Sequence, residues 1–115
     1  MHELSVTESI LNITTRYAEQ ENASIVTDVY LVIGNLSSII DDSVQFYWDF
    51  VTKKTICEGS KLHFSRIEAK AKCLECGFEY NLTELQPCPQ CESARFRIIT
   101  GEEFYVESIK ITKED

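Results

Sequence analysis

The sequence predicts an α+β fold: a small mixed sheet covered by two helices, with a compact cysteine-bearing module inserted towards the carboxyl end. Three observations predict it. An amphipathic helical spacing opens the chain, a strand apolar on both faces follows at Ile25–Ile33, and two C-x-x-C pairs stand between later alternating segments. The resulting order is helix, strand, helix, strand, cysteine module, strand, which suits a sheet with helices packed on it.

Each element has a local reason. Val6, Ile10, Ile13 and Tyr17 step by 4, 3 and 4, one face of a helix. Ser5 and Glu8 have the spacing of a capping box, placing the first four residues at or just before the helix N-terminus. In the first strand Val29, Leu31 and Ile33 alternate with Tyr30 and Val32, so both faces are largely apolar, as in a central strand, and Gly34-Asn35 ends it. Asp41 and Asp42 are placed to cap a second helix from about Ser43 to Thr52, with Val44, Trp48 and Val51 as its apolar stripe and Tyr47 beside them. The aromatic cluster Phe46, Tyr47, Trp48 and Phe50 reads as core. Lys61–Ala71 reads as a second strand, with a change of register between Phe64 and Ile67. Phe96–Ile111 reads as one long strand or two, broken at Gly101.

Length and composition limit the function classes. The chain has 115 residues, enough for one compact domain with a small appended module. With 11 Lys+Arg against 19 Asp+Glu, its formal charge is −8, a bias that repels phosphate backbones and argues against nucleic acid. Its stretches are too short for a membrane-spanning helix, and the opening residues lack a basic region followed by an apolar core. These features predict a cytoplasmic protein with no membrane association. Five cysteines, an odd number in a chain with no export signal, favour metal binding over a disulfide framework.

Cys73-Leu-Glu-Cys76-Gly and Cys88-Pro-Gln-Cys91 are separated by eleven residues. Each pair offers two thiolates from one tight turn, and Gly77 omits a side chain where the chain folds back. Together they make a tetrahedral Cys₄ site with no open coordination position, hence structural zinc. Spacing alone leaves other thiophilic ions open, an iron–sulfur cluster among them. About twenty residues bury too little apolar surface to fold unaided, so metal binding is expected to hold the module together. Cys57 lies outside the pattern and reads as a small buried hydrophobe. His63, in the second strand, reads as a structural residue.

The chain opens Met1-His2-Glu3. A terminal amine, a deprotonated backbone amide and an imidazole one residue along chelate a metal in fused rings. These strong-field nitrogen donors suit the square-planar geometry of Ni(II) or Cu(II). Methionine removal requires a small second residue, so Met1 is expected to persist as the amine donor. Glu3 adds a negative charge, and its backbone amide offers a fourth nitrogen. The three residues alone also fit an incidental histidine on a terminal segment.

From Met1 to about Thr112 the sequence resembles the HypA/HybF family of hydrogenase nickel-incorporation proteins. The residues that carry the resemblance are Met1-His2-Glu3-Leu4-Ser5, Gly34 with Leu36-Ser37, the aromatic-rich second helix and the two C-x-x-C pairs. Gly101-Glu102-Glu103-Phe104, Val106 and Ser108-Ile109 complete it. Cys57 departs from the pattern, standing where an apolar or small residue is expected. The resemblance implies a nickel-binding domain over 1–71 plus 96–115, with nickel on Met1, His2 and Glu3. It implies a zinc-binding ribbon over 72–95, with ligands Cys73, Cys76, Cys88 and Cys91. It further implies a metallochaperone, not an enzyme, that carries Ni(II) as cargo. Its partners would be a hydrogenase-maturation GTPase, the hydrogenase large subunit and, in some organisms, urease accessory proteins; a homodimer is also open to it. The rival reading is a zinc-ribbon interaction adaptor without nickel. A metal-dependent hydrolase fits poorly, because four cysteines close the zinc and the chain has only two histidines.

Overall fold

The computed structural model describes residues 3–83 and 86–113. Two helices and six strands follow one another as α1 (Glu3–Gln20), β1 (Ile25–Gly34), α2 (Asp41–Val51), β2 (Lys61–Ile67), β3 (Lys70–Cys73), β4 (Glu79–Asn81), β5 (Phe96–Thr100) and β6 (Phe104–Thr112). They form two three-stranded sheets, ordered β2-β1-β6 and β4-β3-β5. The fold is α+β, as expected.

The first sheet is mixed. Asn35 N–H donates to the Ile67 carbonyl and His63 meets Asp28, so β1 and β2 run in the same direction, joined through α2. Ser24 N–H donates to Thr112 and Gly34 N–H to Glu103, so β6 runs opposite to β1. In the second sheet both partners of β3 are antiparallel, Ala71 standing opposite Tyr80 and Ile98.

The segment expected as one strand over Lys61–Ala71 is therefore two, β2 and β3, assigned to different sheets. Phe96–Ile111, read as one strand or two broken at Gly101, is two, β5 and β6, again assigned to different sheets. Alternation runs through both breaks, which hides the change of sheet. The short β4 was not anticipated.

The chain divides into two compact units, one of residues 1–32, 38–65 and 105–115, the other of Ile33–Ser37 and Arg66–Phe104. The smaller unit is wider than the cysteine segment 72–95, because the knuckles are carried on strands that pair with one another.

In the larger unit the buried side chains include Val6 and Ile10 of α1, Val29 and Leu31 of β1, and Val44 and Trp48 of α2. The α1 stripe starts as expected and then drifts: Thr14 and Ala18 are buried, whereas Tyr17 is exposed. A strict step of four diverges from the 4-3-4 track after Ile10, and small residues on it permit close packing against the helix. The capping box is not formed, since α1 already begins at Glu3 and Ser5 lies inside it, exposed. Nor do Asp41 and Asp42 cap α2. Its N-cap is Ile40, which supplies no side-chain cap, and the two aspartates sit in the first turn, where they complement the helix dipole.

The aromatic cluster of α2 is core only in part. Trp48 is fully buried and donates its indole N–H to Ser60 Oγ at 2.8 Å. Phe46 and Phe50, by contrast, are 70% and 68% exposed. They sit two residues on from Val44 and Trp48, about 200° around the helix, and so point away from the buried side. Replacing Trp48 with Phe is expected to cost about 2–3 kcal/mol, from lost volume and a lost buried hydrogen bond. Urea denaturation measures it; a change under about 0.5 kcal/mol would show that the Trp48–Ser60 contact does not stabilise the fold.

Candidate metal centres

Strand β3 ends at Cys73, and a tight turn returns through Cys76 to β4. Gly77 N–H donates to the Cys73 carbonyl at 3.0 Å and Cys73 N–H to that of Phe78 at 2.9 Å. The turn needs a left-handed residue after Cys76, and Gly77 has φ +78°. The second turn repeats the first: Glu92 N–H donates to the Cys88 carbonyl at 2.8 Å, and Glu92 takes the left-handed φ of +64°. Backbone amides point at the leading sulfur of each pair. Glu75 N–H lies 3.4 Å and Cys76 N–H 3.5 Å from Cys73 Sγ, and Gln90 N–H lies 3.4 Å from Cys88 Sγ.

All four sulfurs lie within 4.8 Å of one another, with Cys73–Cys91 at 3.4 Å and Cys76–Cys88 at 3.7 Å. Zn–S bonds of about 2.3 Å in a tetrahedron set S···S edges of roughly 3.8 Å. The Cys73–Cys91 and Cys76–Cys88 edges are close to that length, so the cluster has the size of a single zinc site. Its electrostatics also call for a cation. The Cys76 amide, with that of Glu75, brings the Cys73 thiol down to about 6 against the cost of burial. Cys91 accepts a hydrogen bond from the Ser93 amide that lowers its pKa, yet contact with Cys73, burial and the other thiols push it up to about 12. Four sulfurs this close do not ionise together unaided, and a divalent ion supplies the missing charge.

The core beneath the cluster is small. Ala69, Ala71, Tyr80 and Leu82 are buried around Cys73 and Cys88, with Phe96 and Ile98 packed against them. The first cysteine of each pair is buried and the second is exposed. Glu75 of one knuckle pairs with Arg95 beyond the other at 2.9 Å, a solvent-exposed contact of little energetic weight.

The other titratable candidates lie in the larger unit. Cys57 is fully buried, and burial pushes its thiol up, which suits an inert hydrophobe. His63 is engaged with Asp28 at 2.7 Å and stacks on Tyr30 with ring centroids 4.5 Å apart. The hydrogen bond from His63 comes first among the causes that hold the Asp28 carboxyl below its usual range. Among the described residues, the four cysteines form the one cluster of three or more groups able to hold a metal.

Met1 and His2 lie outside the described residues. Glu3 opens α1, half-buried, and its carbonyl accepts the Thr7 hydroxyl at 2.6 Å.

What sequence reasoning missed is a close chain crossing in the smaller unit. A Cβ on Gly34 would overlap the backbone carbonyl of Gly101 and stand 2.6 Å from the Glu102 nitrogen. Gly101, at φ +118°, likewise has the Ala69 Cα 2.8 Å from where its own Cβ would be. The two glycines stand 67 positions apart, and reading one as a strand end and the other as a break did not bring them together.

Residues 1–111 match the family model described as hydrogenase/urease nickel incorporation, metallochaperone, hypA. A hydrogenase maturation factor HypA of Dehalococcoides mccartyi is 38% identical over 115 residues, covering 99% of this chain and 97% of that protein. One from Chlorobium limicola is 37% identical over 116 residues, covering all of both chains. Among solved structures, the solution structure of the Ni metallochaperone HypA from Helicobacter pylori superposes with a TM-score of 0.71 at 21% identity, covering 99% of this chain and 100% of that one. The chain belongs to the HypA family of hydrogenase/urease nickel-incorporation metallochaperones.

Proposed function

We propose that this chain carries Ni(II) on Met1, His2 and Glu3 and hands it to the large subunit of [NiFe]-hydrogenase, working with a nickel-pathway GTPase. Transfer to urease through its accessory proteins is the alternative route. The protein acts in the cytoplasm; no helix among the described residues is long and apolar enough to cross a membrane. In this reading, residues 1–71 with 96–115 serve nickel and 72–95 form the zinc ribbon. Zinc on Cys73, Cys76, Cys88 and Cys91 is structural, because four protein ligands leave no position for a substrate.

The observation that carries the nickel site is where α1 begins. α1 is described from Glu3, so the Glu3 amide belongs to the described opening turn, where helix N–H groups have no carbonyl four residues back. The amide of Glu3 is thus outside the helical ladder and available to a metal together with the Met1 amine, the His2 amide and the imidazole. A ligand set at the chain end leaves one side of the nickel open to an acceptor's ligands, as transfer requires. Because amine, amide and imidazole must all lose protons to bind, affinity should fall as pH drops from 8 to 5.

Calorimetric titration of nickel into untagged, zinc-loaded protein tests this, with His2→Ala alongside. About one nickel per chain is expected. Affinity should fall at least roughly tenfold in the variant, with zinc content unchanged. An extension ahead of Met1 should weaken binding similarly by converting the amine to an amide. Equal binding by wild type and His2→Ala would remove the terminal site and leave the zinc-ribbon adaptor as the better account.

A further inference from the structure

The outward face of α2 is built unlike a solvated helix. Asp42, Phe46, Asp49 and Phe50 recur at helical spacing along it, with Lys53 two residues past its end, all exposed. The two phenylalanine rings are 70% and 68% open to solvent, and Leu4 beside them is 41% exposed. They divide two hollows. One of about 220 Å³ is lined by Leu4, Phe46, Tyr47 and Phe50; the other, of about 290 Å³, lies among Phe46, Asp49, Phe50 and Lys53. Folding does not use these rings, since α2 buries Val44 and Trp48 on its other side. Contiguous exposed aromatics with hollows on either side mark a contact surface.

We infer that this face docks an amphipathic helix of a partner protein whose apolar anchors are flanked by lysine or arginine. Two features select that chemistry. Asp42 and Asp49 stand on the stripe itself, one before the rings and one between them, within a chain of net charge −8. In addition, Lys53 already lies over the Phe50 ring at 5.7 Å from its centroid, so the ring face accepts a cation. Two anchors one turn apart would enter the two hollows, with basic flanks meeting the aspartates. A second copy of this chain fits less well, because it would bring a further net charge of −8 to a face that already carries Asp42 and Asp49. Leu4 directly follows the Met1-His2-Glu3 segment, so a helix seated here would touch the residue next to the proposed nickel ligands. That consequence rests on the nickel reading; the docking surface does not.

The test uses full-length, zinc-loaded protein without nickel, so its outcome is independent of the nickel site. The probe is a helical peptide with leucines at i and i+4 among lysines, compared with the same peptide bearing glutamates. Fluorescence anisotropy should show the lysine peptide binding at least roughly tenfold more tightly, with the preference shrinking as salt rises. The double variant Phe46→Ser, Phe50→Ser should lose that binding while its circular dichroism and Trp48 emission stay unchanged. Equal binding of both peptides, or undiminished binding by the double variant, would overturn the proposal. So would a dimer in sedimentation that the double variant dissolves, since the occupant would then be a second copy.

Discussion

Serine in place of Cys73 or Cys88 is expected to release the zinc and unfold the strands that carry the knuckles. Among the described residues, the buried cluster beneath the knuckles has six members, and two of them are these cysteines. Losing the ion therefore removes the cross-link and the centre of the packing together. For peptides of this kind the metal supplies on the order of 10–16 kcal/mol, far more than the few apolar side chains here contribute. Serine at Cys76 or Cys91 should also release zinc. Those two positions are exposed, so they leave no unsatisfied hydroxyl in the interior, and their metal-free forms should be the less damaged. Zinc content by mass spectrometry and hydrogen exchange across 66–104 measure both effects. Trp48 emission, which reports on the larger unit, should barely move. Protected amides in zinc-free Cys88→Ser would show that the unit folds on its own apolar surface, against this account.

What was legible in the sequence follows from how local each signal is. The four-cysteine cluster was legible because C-x-x-C is a property of four consecutive residues, and the turn each pair makes is closed by its own backbone hydrogen bonds. Strands were found, and the break at Gly101 with them, but Lys61–Ala71 was read as one strand. Lys61–Ala71 and Phe96–Ile111 each change sheet partway, and alternation says which face a residue takes without saying which strand lies beside it. The aromatic cluster was misread for a different reason. Helical periodicity separates Phe46 and Phe50 from Val44 and Trp48, but an aromatic composition suggested core and overrode that spacing. The start of α1 fell two residues ahead of the Ser5 capping signal. Helix ends depend on tertiary packing as much as on caps, and here Val6 and Thr7 are already buried in the first turns.

The chain crossing at Gly34 and Gly101 leads to the other large expected effect. Gly34→Ala should destabilise the zinc-loaded protein by about 3 kcal/mol or more, lowering its melting temperature by roughly 10 °C. The added methyl would meet backbone, which cannot rotate aside as a side chain does. Nor can either strand retreat freely. Gly34 N–H is bonded to Glu103 at 2.8 Å, Leu36 N–H to Gly101 at 2.8 Å and Asn35 N–H to Ile67 at 2.9 Å, while Arg66 holds the Gly34 carbonyl at 3.2 Å. Gly101→Ala adds the strain of φ +118° to its clash with Ala69, so it should cost at least as much. The double variant distinguishes this mechanism from two unrelated losses. If both substitutions force the same crossing apart, the second costs less once the first is present, and the pair falls short of additivity by about 1 kcal/mol or more. Strict additivity, or a Gly34→Ala protein melting within about 2 °C of wild type, would mean that the crossing has room the geometry does not show.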